Sequence, residues 1–211
     1  MAAYDLEEQE QLSAMKAWWD KYGNHITTVA TVVLVVLAGW VGWNRYQTHL
    51  SDKATVVYGR LFSAAESGDQ ATLDQAAKEL TSEYANHLQA SLGTLIAARV
   101  DLDHKDTKSA RIKFAWVIEH SQDDLVKDLT RLRLAALLLD DKAYDEAIKT
   151  IDGGVTSEFA ARFADLRGDV LVEQGKIDAA RAAYKQASEK YGDGNSLKSM
   201  VDTKLEALGG S

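Results

Sequence analysis

An all-α chain is predicted by three features of the sequence. None of its 211 residues is proline, whereas sheets and long loops recruit proline for their turns. One uncharged apolar run lies close to the N-terminus, and behind it four alanines recur at nearly constant spacing. Together these predict a single N-terminal transmembrane helix, then an α-solenoid of about four helix pairs closed by a capping helix.

The apolar run extends from Ile26 to Trp43, 18 residues without a charged side chain. As a helix it would span about 27 Å, close to the hydrocarbon thickness of a bilayer. Its polar members Thr27, Thr28 and Thr31 can donate to the helix's own carbonyls. Trp18, Trp19 and Tyr22 precede it, and Trp40, Trp43 and Tyr46 close it; amphipathic rings settle at headgroup level in this way. An export signal would need a basic start and a small-residue cleavage site. The chain begins instead with acidic residues from Asp5 to Glu10, and Trp40, Trp43 and Arg45 stand where cleavage would fall. A buried soluble helix would need partners on every face. The expected organisation is therefore an N-terminal segment at residues 1–23, a transmembrane helix at 24–46, a juxtamembrane linker or helix start at 47–56, and a repeat domain at 57–211.

Thr27, Thr31, Ala38 and Gly42 share one face of the apolar helix, with Gly39 beside them. Ala38 and Gly42 fit the small-xxx-small pattern that lets helix backbones approach, and they fit equally the ordinary abundance of small residues in membrane helices. Ahead of the run, Leu12, Met15, Trp19 and Tyr22 recur at the spacing of a short amphipathic helix on the membrane surface. Its other face is partly acidic, so a frayed or partner-dependent segment is expected. Lys16 and Lys21 lie on one side of the run, and Arg45, Lys53 and Arg60 on the other. The positive-inside rule therefore leaves the orientation open.

Behind the anchor, Ala76, Ala110, Ala147 and Ala180 are separated by 34, 37 and 33 residues. Four residues after each comes a large apolar residue: Leu80, Phe114, Ile151 and Tyr184. Twelve before each comes a small one: Ala64, Ala98, Ala135 and Gly168. Turns fall in register at residues 67–70, 103–106, 140–142 and 174–176. Each unit reads as two antiparallel helices whose small residues let the backbones close, while the large residue fills the gap to the next unit. This pattern resembles the tetratricopeptide repeat. It departs from it where Arg60, Thr94, Arg131 and Ala164 replace the usual early aromatic, and in lacking the closing proline. Leu197, Met200, Val201, Leu205 and Leu208 suggest the capping helix.

The formal net charge is -8, and residues 51–211 hold 21 basic and 27 acidic residues. A mildly acidic domain with interspersed signs argues against nucleic acid as a partner. The absence of cysteine excludes thiolate metal sites, disulfides and cysteine nucleophiles. His25, His49, His87, His104 and His120 are never three or four residues apart, which argues against a helical metal site. The stretch from Gly192 to Asn195 is too short for a calcium loop and reads as a turn. There is no phosphate-binding or nucleophile-elbow motif. Neither a catalytic constellation nor a cofactor or metal site is expected, and what remains is binding at a membrane.

An acidic start, an anchor ending Gly42-Trp-Asn-Arg-Tyr46, four degenerate repeats, and Ala164-Asp-Leu-Arg-Gly-Asp169 followed by Gly175-Lys occur together. Over essentially its whole length the chain resembles the YfgM family of ancillary subunits of the SecYEG translocon of Gram-negative bacteria. The resemblance implies a single-pass inner-membrane protein with a cytoplasmic N-terminus and a periplasmic repeat domain. It implies association with SecYEG and with a membrane-anchored periplasmic chaperone of the peptidyl-prolyl isomerase type, and a role in passing newly translocated proteins to periplasmic chaperones. It also suggests a second reading, a tether for a cytoplasmic response regulator held by the N-terminal segment. Arg60, Arg99, Arg131 and Arg133 are candidate contacts of the repeat domain, each of which could equally belong to a solvated, salt-bridged surface.

Overall fold

The computed structural model describes residues 2–153, 156–192 and 194–209. The side chains of residues 2–7, Asp5 and Glu7 of the acidic start among them, and of Gln9 are not described, and Asp193 of the turn before Asn195 lies outside the described residues. Among the described residues the chain is helical and has no strand: α1 (Ala2–Ser67), α2 (Gln70–Glu83), α3 (Leu88–Asp103), α4 (Thr107–His120), α5 (Asp124–Asp140), α6 (Tyr144–Asp152), α7 (Ala160–Glu173), α8 (Ile177–Tyr191) and α9 (Ser196–Ala207), with one 3-10 turn at Ser157–Phe159. It forms two units, residues 1–50 and 51–211.

The first unit lies in α1. In place of a separate or frayed surface segment, residues 2–23 are helical and run directly into the apolar stretch. Nothing interrupts them: the first glycine is Gly23, and the Trp19 indole lies over it, 3.0 Å from where a Cβ would stand. The Thr27 hydroxyl donates to the Gly23 carbonyl at 2.9 Å, Thr28 to Asn24 at 2.7 Å and Thr31 to Thr27 at 2.8 Å. Every hydroxyl in the run is thereby satisfied without water, as hydrocarbon requires. Trp18 packs on Tyr22 with ring centroids 5.7 Å apart, and Trp43 on Tyr46 at 6.2 Å, one pair at each end. Among the described residues α1 is the one helix long and apolar enough to cross a membrane, and none of its apolar window is buried.

The second unit begins at Ser51, ahead of residue 57, because Ala54 and Val57 are already buried in its core. Residues 51–67 of α1 serve as the first helix of the first pair. Arg60 forms an ion pair with Glu79 of α2, and Gln89 of α3 donates to the Thr55 hydroxyl at 2.9 Å. The pairs α3–α4, α5–α6 and α7–α8 follow, and α9 packs on α8. From α2 onward each helix touches its neighbours in sequence, and α5 also reaches α7, the nearest-neighbour stacking of a solenoid.

The repeated positions lie at the closest approaches. Ala64, Ala76, Ala98, Ala110, Ala135, Ala147 and Ala180 are buried, as is Gly168. A Cβ at Gly168 would collide with the Tyr184 ring. Leu80, Phe114, Ile151 and Tyr184 are buried beside them, each such side chain contributing about 2 kcal/mol by its removal from water. Phe114 of α4 meets Leu137 of the next pair, Ile151 of α6 meets Phe163 and Val170 of α7, and Tyr184 meets Val201 of the cap. Each large residue therefore joins its own pair to the following one.

The turn within each pair has one form. Gly68, Lys105, Lys142 and Gly175 adopt φ of 74°, 64°, 59° and 73°. The next amide returns to the preceding helix in each: Asp69 to Ala64 at 3.0 Å, Asp106 to Asp101 at 2.8 Å, Ala143 to Leu138 at 2.8 Å and Lys176 to Leu171 at 2.9 Å. This is the Schellman closure, which favours glycine at the left-handed position. Two of the four positions carry lysine instead.

The cap is held by a compact polar cluster. Lys204 of α9 donates to Asp165 at 2.8 Å and to Asp169 at 2.7 Å, both on α7. The Tyr184 hydroxyl donates to Asp169 at 2.8 Å, and the Lys204 ammonium lies 5.5 Å from the Tyr184 ring centroid. Burial, reinforced by Asp169, pushes the Tyr184 phenol well above its usual value. Burial also raises the Asp165 carboxyl against the pull of Lys204. For Lys204 burial opposes the charge, but its bonds to Asp165 and Asp169 outweigh it and the net direction is up.

Two predictions follow from these contacts. K105G and K142G should each raise the unfolding free energy by about 0.5 kcal/mol, relief of left-handed strain exceeding the added chain entropy; a urea midpoint that falls would contradict this. The raised Tyr184 and Lys204 mean that the folded state holds their protons more tightly. Their stabilisation is fully present below the ordinary values of 10.0 and 10.5 and is lost as pH rises from there through the raised folded-state values. Chemical unfolding should therefore become easier above about pH 10. K204M should cost about 2 kcal/mol at neutral pH and flatten that alkaline slope; an unchanged slope would contradict the assignment.

Candidate functional site

The first helices of the pairs line a groove made of three cavities within residues 51–211. The first, about 320 Å³, lies between Phe62 and Glu66 of α1 and Ile96, Arg99 and Asp103 of α3. The second, about 590 Å³, has Leu95, Arg99 and Leu102 of α3, Phe114 of α4, and Arg133, Leu137 and Asp140 of α5 around it. The third, about 450 Å³, is bounded by Asp140, Lys142 and Tyr144, by Asp169 and Glu173 of α7, and by Tyr184. Arg99 belongs to the first two and Asp140 to the last two, so the three run together.

The helix register explains this lining. Along α3, Ala97 and Ala98 are buried while Arg99, the next residue, is exposed. Along α5, Ala135, Leu137 and Leu138 are buried while Arg133, Ala136 and Asp140 are exposed. The apolar stripe of each first helix faces the pair, and the residues at its edge face the groove.

The structure separates the four candidate arginines. Arg99 and Arg133 line the same central cavity. Arg60 is paired with Glu79. Arg131 donates to Asp128 at 2.8 Å and lines a different cavity, between α4, α5 and α6. Asp128 is buried and also accepts the Thr156 amide at 2.6 Å, fixing the chain that leads into α7. The anchor residues Thr27, Thr31, Ala38, Gly39 and Gly42 are all exposed, and nothing lies within 4 Å of a Cβ placed at Gly39 or Gly42.

Three contributors are not singled out by sequence reasoning. Gly93 admits Leu80, whose Cδ1 stands 2.6 Å from where a Gly93 Cβ would be. Asp101 is buried and paired with Lys113 across the α3–α4 pair; a separation of 12 residues gives no local signal. Asp128 could have been found, since an acid three residues before Arg131 is an ordinary helical ion pair. Thr94, at an expected aromatic position, is buried and donates to the Ala90 carbonyl at 2.8 Å. His120 stacks on Trp116 with centroids 4.6 Å apart. Among the described residues no three His, Asp or Glu side chains converge so as to hold a metal ion.

Comparison with known proteins agrees with this architecture. Residues 16–210 match the model of a tetratricopeptide repeat-like domain. A Neisseria gonorrhoeae protein named Ancillary SecYEG translocon subunit is 29% identical over 212 residues, covering 99% of this chain and 100% of its own. Proteins of the same name from Escherichia coli and Haemophilus influenzae are 27% and 25% identical, covering 95% and 89% of this chain and 96% and 91% of theirs. These relatives carry the name of the family that the sequence resembles. Among solved structures, MamA residues 41 to the end from Desulfovibrio magneticus superposes with a TM-score of 0.51 at 16% identity, over 76% of this chain and 97% of that one, a likeness of fold. With its family model matched over residues 16–210, nearly the whole length, the chain belongs to the tetratricopeptide repeat-like domain family.

Proposed function

We propose that the protein is a non-enzymatic, membrane-anchored scaffold at the SecYEG translocon. It binds a membrane-anchored periplasmic chaperone of the peptidyl-prolyl isomerase type and helps pass newly translocated proteins to periplasmic chaperones. The observation that carries the reading is the pairing of an exposed, internally satisfied apolar helix with a repeat domain that has an open groove. Such a helix is stable in hydrocarbon, and helical repeats act by presenting extended surfaces to other proteins. The name shared by the near-full-length relatives supports the translocon as the membrane partner.

In this reading the protein crosses the bacterial inner membrane once. Residues 1–23 are cytoplasmic, 24–46 span the bilayer, and the repeat domain, from about residue 57, is periplasmic. Thr27, Thr31, Ala38, Gly39 and Gly42 form the face that packs against a membrane helix of the partner complex, since small residues permit close backbone approach.

Co-purification in gentle detergent, read by mass spectrometry, tests this. The full chain is expected to recover translocon subunits together with a membrane-anchored chaperone. A chain beginning at residue 51 should lose the translocon, and one lacking residues 1–20 should keep both. Recovery of cytoplasmic response regulators alone, abolished by deleting residues 1–20, would replace the scaffold with a cytoplasmic tether.

A further inference from the structure

We infer that the central cavity of the groove receives a peptide segment carrying one carboxylate beside a large apolar side chain, with no second acid nearby. This rests on the docking half of the function proposed above and gives the ligand its chemistry.

Residues 51–211 contain eight arginines. Arg60, Arg111, Arg131, Arg167 and Arg181 are in ion pairs. Arg162 lies 6.0 Å from the Phe159 ring centroid. Among the described residues Arg99 and Arg133 have neither kind of partner, although the domain carries more acids than bases. One exposed arginine without a partner is ordinary. Here both line one cavity of about 590 Å³. Two forked guanidiniums are suited to holding a carboxylate through paired hydrogen bonds.

The floor supplies the second element. Leu95, Phe114 and Leu137 are buried and Leu102 half-buried beneath the arginines. An apolar side chain next to the carboxylate would leave water there while the anion stays at the rim. The volume falls within the roughly 300–1,000 Å³ of sites that bury small ligands, so the cavity takes a few side chains and not a folded surface.

The flanks supply the third. Glu66 and Asp103 line the neighbouring cavity on one side, Asp140 stands on the wall of the central cavity itself, and Asp169 and Glu173 outnumber Lys142 in the cavity on the other side. Charge along the groove therefore alternates from negative through positive to negative. A run of acids, or a phosphate backbone, would be repelled at both ends, whereas a lone carboxylate with neutral or basic flanks would not.

The test uses the full chain in lipid nanodiscs and fluorescein-labelled nine-residue peptides, read by anisotropy. The lead peptide has one central glutamate between leucine and phenylalanine, with serine and lysine flanks. Companions replace the glutamate by glutamine, the two apolar residues by serine, or the flanks by glutamate. The lead peptide is expected to bind about tenfold more tightly than each companion, and R99Q and R133Q should each weaken it about tenfold. Both arginines are exposed, so circular dichroism should be unchanged. Equal binding of the glutamate and glutamine peptides, tighter binding of the glutamate-flanked one, or no binding at all would overturn the inference. Self-association of the chain that R99Q abolishes would also overturn it, making a second copy the occupant. No translocon is present in this assay, so lost co-purification with retained peptide selection would count against the translocon reading alone.

Discussion

The repeat domain depends on the close approach of two helices within each pair. Where Gly168 faces Tyr184, the ring occupies space that any side chain at residue 168 would need. Ala64, Ala98 and Ala135 hold the corresponding positions of the other pairs, and the buried Ala76, Ala110, Ala147 and Ala180 stand on the second helices. Small residues let the axes close, and Leu80, Phe114, Ile151 and Tyr184 then carry the packing outward to the next pair. Because each pair is completed by its neighbour, the final one needs a lid, which α9 provides through Val201 and the Lys204 cluster.

The groove is a by-product of that packing. Once the apolar stripe of each first helix is committed to the pair, the residues at its edge face outward. Arg99 and Arg133 are at that edge. Arg131, two residues before Arg133, is turned toward Asp128 and does structural work. Arginines two apart on a helix point to different sides, so one serves the core of the turn and the other the open surface. The anchor obeys a different solvent. Its threonines are bonded to their own helix, which leaves no hydroxyl of the apolar run in need of water.

The helix pairs and the anchor were legible in the sequence because both rest on local pattern. A run without charge over 18 residues, and small and large residues at fixed offsets from Ala76, Ala110, Ala147 and Ala180, are visible without coordinates. The turns were legible for the same reason, although the first pair differs in detail. There the left-handed residue, Gly68, stands eight residues before its alanine, whereas Lys105, Lys142 and Gly175 stand five before theirs. What was not legible depends on contacts between distant residues. Gly93 is needed because of Leu80, and Asp101 is tolerated in the core because Lys113 reaches it. The grouping of Arg99 with Arg133 required knowing which edge of α3 faces which edge of α5.

The central claim is that matched small and large residues set the helix spacing, and a double-mutant cycle between Gly168 and Tyr184 tests it most directly. G168A in the native background should cost about 2 kcal/mol, because the added methyl overpacks against the ring. With Y184A already present the ring is gone, and G168A should be close to neutral, which gives a coupling energy above about 1 kcal/mol. Additive effects, with G168A equally costly in both backgrounds, would mean that the ring does not set the spacing, and would contradict the account.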